Sequence, residues 1–158
     1  MTELIVRTAA SPADRDACVR TAASPADRDA CFAIRKAVFV DEQGVPAEVE
    51  LDEHDAAATH LLALAGKRPV GTMRWRIVAP GVAKLERVAV LRDARGLGAG
   101  AALMSEALRQ LAAAGPAQAV LHAQTSARGF YERLGFAVEG APFDEEGIEH
   151  VRMRLALP

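Results

Sequence analysis

Leu85-Glu86-Arg87-Val88-Ala89-Val90, followed a few residues later by Arg95-Gly96-Leu97-Gly98-Ala99-Gly100, is the stretch from which the fold can be read. A strand pattern runs into a glycine loop, and the loop runs into an Ala/Leu-rich segment, residues 100–114. There Leu103, Met104, Ala107, Leu108 and Leu111 fall on one helical face, and Gly115-Pro116 stops the helix. Glycines let a backbone turn tightly and come close to a ligand. The unpaired N–H groups at the start of the following helix, together with its dipole, favour phosphate oxygens. Arg95 places a permanent charge at the edge of that loop. Gly96, Gly98 and Ala101 also fit the dinucleotide fingerprint G-x-G-x-x-A. That fingerprint requires a carboxylate at the end of the next strand, which here ends His122-Ala123-Gln124, and Arg92 to Arg95 separate the glycines from the preceding strand. No Gly-Lys-Ser/Thr follows either, so the nicotinamide and nucleotide-triphosphate readings both fail.

Working outward, Ser24-Pro25 offers an N-cap and a first-turn proline, with Asp27 and Asp29 favourable near the helix start. Cys31, Ile34 and Val38 with Phe32 and Phe39 then recur at helical spacing, which predicts a helix over 25–40. Residues 59–65 and 70–78 read as a hairpin across Gly66-Lys67-Arg68-Pro69. Residues 83–91, 119–123, 136–139 and 150–157 read as further strands, and 126–134 as a helix closed by Gly135. A hairpin followed by alternating strands and helices predicts one α+β or mixed α/β domain over residues 1–158.

Composition excludes other classes. Lys+Arg 19 against Asp+Glu 21 leaves a net charge of -2, which offers no basic field for nucleic acid. No apolar run approaches the ~20 residues of a membrane span. The N-terminus lacks a signal-peptide pattern, so a cytoplasmic location is expected. One further feature stands apart. Residues 6–18 and 19–31 are the same thirteen letters, VRTAASPADRDAC, so Cys18 and Cys31 are copies of each other and carry no pairing signal. Arrays need about three or more units, so this is a tandem duplication rather than a solenoid. Of the two sources for an edge strand, Leu4-Ile5-Val6 has better β propensity than Asp16-Ala17-Cys18. The first copy is therefore expected to supply the strand, with Cys31 buried in the helix and Cys18 exposed.

The strand over 85–90 with Arg95-x-x-Gly98-x-Gly100 resembles the acetyl-coenzyme A motif of the GNAT N-acetyltransferases, R/Q-x-x-G-x-G/A. Ala127-Arg128-Gly129-Phe130-Tyr131-Glu132-Arg133-Leu134-Gly135-Phe136 resembles that family's A-x-x-F-Y-x-x-x-G-F segment. Val38-Phe39-Val40-Asp41-Glu42-Gln43-Gly44-Val45-Pro46 and the segment from Phe143 to His150 are similar to the ElaA-like branch. The resemblance implies a single mixed, mostly antiparallel sheet flanked by helices, its middle strands 83–91 and 119–123 splayed around a pantetheine arm. It further implies that Val88, Ala89 and Val90 pair with that arm through their backbone, that Arg95, Gly96, Leu97, Gly98, Ala99 and Gly100 cradle the pyrophosphate, and that Phe130 adjoins the cofactor. Acetyl-CoA would be the cosubstrate and no metal is needed. The acceptor would be a primary amine, of a small molecule or of a protein, and a homodimer stays open. Tyr131 matches the family tyrosine near the sulfur, and a phenol protonated at neutral pH can donate to a leaving thiolate. Glu86 is expected on the face of Val88 and Val90 as a base, with an arginine salt bridge as the alternative. His150 is a further candidate for proton relay. His122 reads as a core residue, and the acidic run Glu48, Glu50, Asp52, Glu53, Asp55 either attracts a cationic amine or is a solvated loop. A CoA-binding sensor without efficient turnover is the rival function.

Overall fold

The computed structural model describes residues 17–158. Eight strands form one sheet: β1 (Ala17–Thr21), β2 (Thr59–Ala65), β3 (Arg68–Ala79), β4 (Val82–Val90), β5 (Gln118–Gln124), β6 (Ala137–Val138), β7 (Phe143–Glu145) and β8 (Ile148–Ala156). The order is β1-β2-β3-β4-β5-β8-β6, with β7 also paired to β8. Strands β4 and β5 run parallel, and the other pairs are antiparallel. The sheet is thus mixed and mostly antiparallel, with helices α1 (Pro25–Arg35), α2 (Ala47–Glu50), α3 (Ala99–Ala114) and α4 (Arg128–Arg133) around it.

Side-chain alternation sends apolar residues to both faces. Leu61 and Ala63 of β2 join Leu103, Met104, Ala107 and Leu111 of α3, whereas Leu62 and Leu64 join Cys31 and Ile34 of α1. A strand buried on both sides reads as the near-continuous apolar run seen at 59–65. The N-terminus of α1 forms as expected, with Ser24 Oγ accepting from the Asp27 N–H at 3.1 Å. Past Arg35 the winding widens into a π-helix over Lys36–Glu42. The wider turn lets adjacent Val38 and Phe39 both reach the α1-side core. Gly44, at φ +75°, ends the segment. The short elements α2 and β7 and the 3₁₀ turn Arg92–Ala94 carry no periodicity that a sequence reading could register.

The edge strand corrects one expectation. It comes from Ala17–Thr21 and so uses Val19-Arg20-Thr21 of the second copy; the strand expected at 4–8 lies outside the described residues. Connectivity outweighs β propensity here. Ala22 N–H donates to the His60 carbonyl at 2.8 Å, and Arg20 forms two 2.9 Å bonds to Asp27 in the first turn of α1. Both contacts require the strand to lie three residues from the helix, a spacing that 4–8 would lengthen by thirteen. Cys18 is exposed and Cys31 buried, as expected. Excising 6–18 joins Ile5 to Val19, so the strand would read Leu-Ile-Val-Arg-Thr, with Leu4 in the half-buried position of Ala17. Thermal denaturation should give a Tm equal to or above that of the parent, and the remaining Cys31 should react with a thiol reagent only after unfolding. A lower Tm would mean that Ala17-Cys18 contributes more than its ladder bonds.

Candidate active site

The site starts where β4 leaves β5. Their parallel ladder runs from Val82↔Gln118 to Leu85↔Leu121 and no further. Beyond it β4 stays on β3 as far as Val90↔Gly71, while β5 stays on β8 as far as Gln124↔His150. A β-bulge accompanies the parting. Between the pairs Arg74↔Glu86 and Thr72↔Ala89, Arg87 and Val88 stand opposite the single residue Met73. A bulge of this kind bends and twists its strand, and Arg87 takes a left-handed φ of +57° within it. The extra residue also shifts the alternation. Leu85, Val88 and Val90 all join the α3-side core, whereas Glu86 binds Arg74, whose other partners tie it to α1 on the opposite face. The expectation that Glu86 shares the face of Val88 and Val90 is therefore overturned by the bulge.

At the far end of β4 the chain enters the glycine loop. Gly96 and Gly98 have φ of +84° and +82°, a region where a side chain is strained. Gly98 caps α3 without a side-chain hydrogen bond, and the first helical bond is Ala102 N–H to the Gly98 carbonyl at 3.0 Å. The N–H groups of Ala99, Gly100 and Ala101 therefore precede the helical ladder and point out of its N-terminus. A Cβ at Gly98 would meet nothing within 4 Å. Arg95 is a fastener rather than a free charge. Its Nε donates to the Val90 carbonyl at 3.0 Å, and its two terminal nitrogens reach Glu42 at 2.7 and 2.6 Å. The hydrogen bond from Arg95 leads the causes that hold the Glu42 carboxyl below its ordinary range.

On the α1 face lies a buried ion lattice. Arg35 donates to Glu50 at 2.7 Å and to Asp55 at 2.6 Å. Arg74 reaches Asp55 at 2.7 Å, Asp52 at 2.8 and 2.9 Å, and Glu86 at 3.0 Å. Arg87 donates to the Glu50 carbonyl and to Asp52, and Arg76 binds the other Glu86 oxygen. Four guanidinium groups thus meet four carboxylates. The acidic run holds these arginines, so neither a solvated loop nor an amine-attracting patch describes Glu50, Asp52 and Asp55. Burial alone would raise the Glu86 carboxyl, but the Arg74 charge and the Arg76 hydrogen bond outweigh it and hold it below the usual range. The same opposition, won by Arg35 and Arg74, brings Asp55 down to about 2.

Tyr131 of α4 is fully buried in the α3-side core with Val88, Ala123 and Phe136; Phe130 packs edge-on against it at 5.0 Å. Ala119, Leu121 and Ala123 of β5 face this core, so His122 faces the other way. His122 is not a core residue: its side chain is 20% exposed, and its Nδ1 lies 3.4 Å from Glu145 Oε1. His150 is fully buried, donates from Nδ1 to the Ile148 carbonyl at 2.7 Å, and has Nε2 3.5 Å from Glu145 Oε2. Burial lowers its proton affinity below the ordinary histidine value. The ring of Phe143 stacks on His150 and meets His122 edge-on. Sequence reasoning missed Glu145, whose signal was the Glu146-Gly147 turn; both turn residues have positive φ, the signature of a two-residue hairpin.

Residues 20–157 match the family model described as "Acetyltransferase (GNAT) domain". The chain belongs to the GNAT acetyltransferase family. An N-acetyltransferase of Bacillus subtilis, YjcF, itself described as uncharacterized, is 43% identical over 124 residues, 77% of this chain and 87% of that protein. A solved structure from Lactobacillus plantarum aligns with a TM-score of 0.84 at 33% identity, covering 90% of this chain and 99% of that one. The Escherichia coli ElaA structure aligns with a TM-score of 0.76 at 26% identity, covering 87% and 98%. GNAT membership makes the chain an acyltransferase of the EC 2.3.1 class that uses an acyl-CoA donor. Among the described residues no helix is long and apolar enough to cross a membrane.

The lattice gives this GNAT domain an acid-labile core. Carboxyls held below their unfolded values stabilise the fold above those values and lose that contribution as pH falls through the folded ones. Urea denaturation should therefore show stability falling between the ordinary aspartate value of 3.8 and about 2 for Asp55. Asp55→Asn should cost about 3 kcal/mol at neutral pH, because it leaves two buried guanidinium groups short of a partner. A loss within about 0.5 kcal/mol, the range of an ordinary surface substitution, would mean the lattice is not a support.

Proposed function

We propose that this GNAT domain transfers the acetyl group of acetyl-CoA directly to a primary amine, of a small molecule or of a protein. The parting of β4 from β5 above a buried tyrosine, with a helix N-terminus at the end of the gap, carries this reading. The pantetheine amides would pair with the backbone of Val88, Ala89 and Val90, the stretch of β4 beyond its ladder with β5. The pyrophosphate would rest on N–H groups from Arg95 to Gly100, where the helix dipole adds favourable potential. Arg95 serves by fixing the loop to Glu42 and Val90, and Phe130 walls the cofactor next to Tyr131.

In the reaction the amine nitrogen attacks the thioester carbonyl, a C–N bond forms, and collapse of the tetrahedral adduct breaks the C–S bond. The acceptor ammonium loses one proton before attack and a second from the adduct. Tyr131 O–H supplies one proton to the departing thiolate and regains it from the second. Both Glu86 oxygens accept from guanidinium donors, which suits it to act through an ordered water or to fix the arginines rather than to meet the amine. Complete burial of His150, with its Nδ1–H held by the Ile148 carbonyl, sets it behind the reacting groups rather than against the substrate.

Tyr131→Phe should leave CoA affinity unchanged by calorimetry and lower kcat about 10²-fold, the usual scale for a positioned proton donor. An unchanged kcat, where chemistry limits the rate, removes Tyr131 from the mechanism. Gly98→Asp places a negative charge in the space in front of the α3 N-terminus and should abolish CoA binding in a folded protein. CoA binding by the parent without thiol release across an amine panel would favour the sensor reading instead.

A further inference from the structure

The bulge and the two guanidinium partners leave the amine side of the gap without a ready base in Glu86. The opposite strand supplies one. His122 is the first β5 residue past the last β4–β5 pair, Leu85↔Leu121. Because it lies on the face away from Tyr131, a thioester held in the gap would have the phenol on one side and the imidazole on the other. The Nδ1 of His122 faces a carboxylate oxygen, which can only accept, so Nδ1 carries the proton. Its Nε2 then holds the lone pair, and among the described residues nothing is bonded to it.

Behind His122 the chain of contacts continues to a fixed end. Glu145 stands at the start of the Glu146-Gly147 turn and reaches His122 with Oε1 and His150 with Oε2. His150 Nδ1–H is committed to the Ile148 carbonyl, so its Nε2 faces Glu145 with a lone pair and donates no hydrogen bond to it. Among the described residues the charged and titratable groups around His122 are Glu145 from β7, His150 and Arg152, the latter directly across from His122, on β8, and Lys84 and Glu86 on the same face of β4.

We propose that His122 Nε2 takes the proton from the acceptor ammonium and that Glu145 holds its tautomer; this rests on the amine-acetylation reading above. His122 is then the catalytic residue, and Glu145 is a positioning residue.

The test uses the full chain saturated with acetyl-CoA and two amines, ethylamine, which is protonated at pH 7, and trifluoroethylamine, which is largely neutral there. His122→Gln should lower kcat/KM about 10²-fold for ethylamine and no more than about fivefold for trifluoroethylamine, which needs no base before attack. Glu145→Gln should lose activity in the same order and move the acidic limb of the kcat/KM–pH profile, which a purely structural role would not do. Equal losses with both amines would overturn the assignment. Imidazole ¹⁵N spectra test it without turnover: His122 should be in the Nδ1–H form, and Glu145→Gln should release that preference. An Nε2–H His122 overturns the proposal whatever the kinetics. A parent protein with the expected spectra but no turnover of either amine counts against the amine-acetylation reading and leaves the hydrogen-bonded chain standing.

Discussion

Arg87 does not hold its backbone conformation by itself. A non-glycine residue in the left-handed region costs of order 1–3 kcal/mol and persists where its surroundings over-determine it. Here the determinants are the Glu50 carbonyl and Asp52, which grip the guanidinium from the α2 segment. That grip keeps the bulge in β4, the bulge turns β4 away from β5, and the resulting gap is the proposed site. The ion lattice is thus a scaffold for one irregular residue. Such a lattice is a costly way to gain stability, because desolvating the charges offsets much of their attraction. Its value lies in geometry: each carboxylate is shared between two arginines, drawn from α1, β3 and β4, so no single side chain can move without breaking several contacts.

The regular elements were legible because their periodicity is carried by many residues at once. The β2 strand and the α3 helix fall at the expected positions, since the apolar run over residues 61–65 and a one-sided Ala/Leu stripe each have one low-energy arrangement. Elements of three to four residues, such as β7 and α2, are held by their neighbours and contain too few positions to show a period. The edge strand failed for a different reason. Propensity ranked Leu4-Ile5-Val6 above Asp16-Ala17-Cys18, but an edge strand is fixed by its backbone ladder and its distance from the next helix, neither of which propensity measures.

At the site, the glycine loop was legible because left-handed φ selects for the residue type itself. Glu86 was misplaced because period-two counting assumes an uninterrupted strand, and nothing in Glu86-Arg87-Val88 announces the extra residue opposite Met73. Arg95 was read as a ligand charge because its carboxylate partner, Glu42, lies 53 positions away in the chain. His122 looked like a core residue for a related reason: it alternates with buried Leu121 and Ala123, and only the strand order reveals that its own face meets the β7–β8 hairpin instead of a helix.

The duplicated segment gives the gene redundancy at a vulnerable place. An edge strand depends on very few residues, so in most proteins of this size a lesion there has no substitute. In this chain the letters Val-Arg-Thr occur twice, and the copy not used in β1 is preceded by the more strand-prone Leu4-Ile5. A mutation that spoils Val19–Thr21 leaves an intact template thirteen residues upstream. Recruiting it lengthens one connection, at about 0.6 kcal/mol for each doubling of the loop, and forfeits the Arg20–Asp27 bridge, an exposed contact of small value.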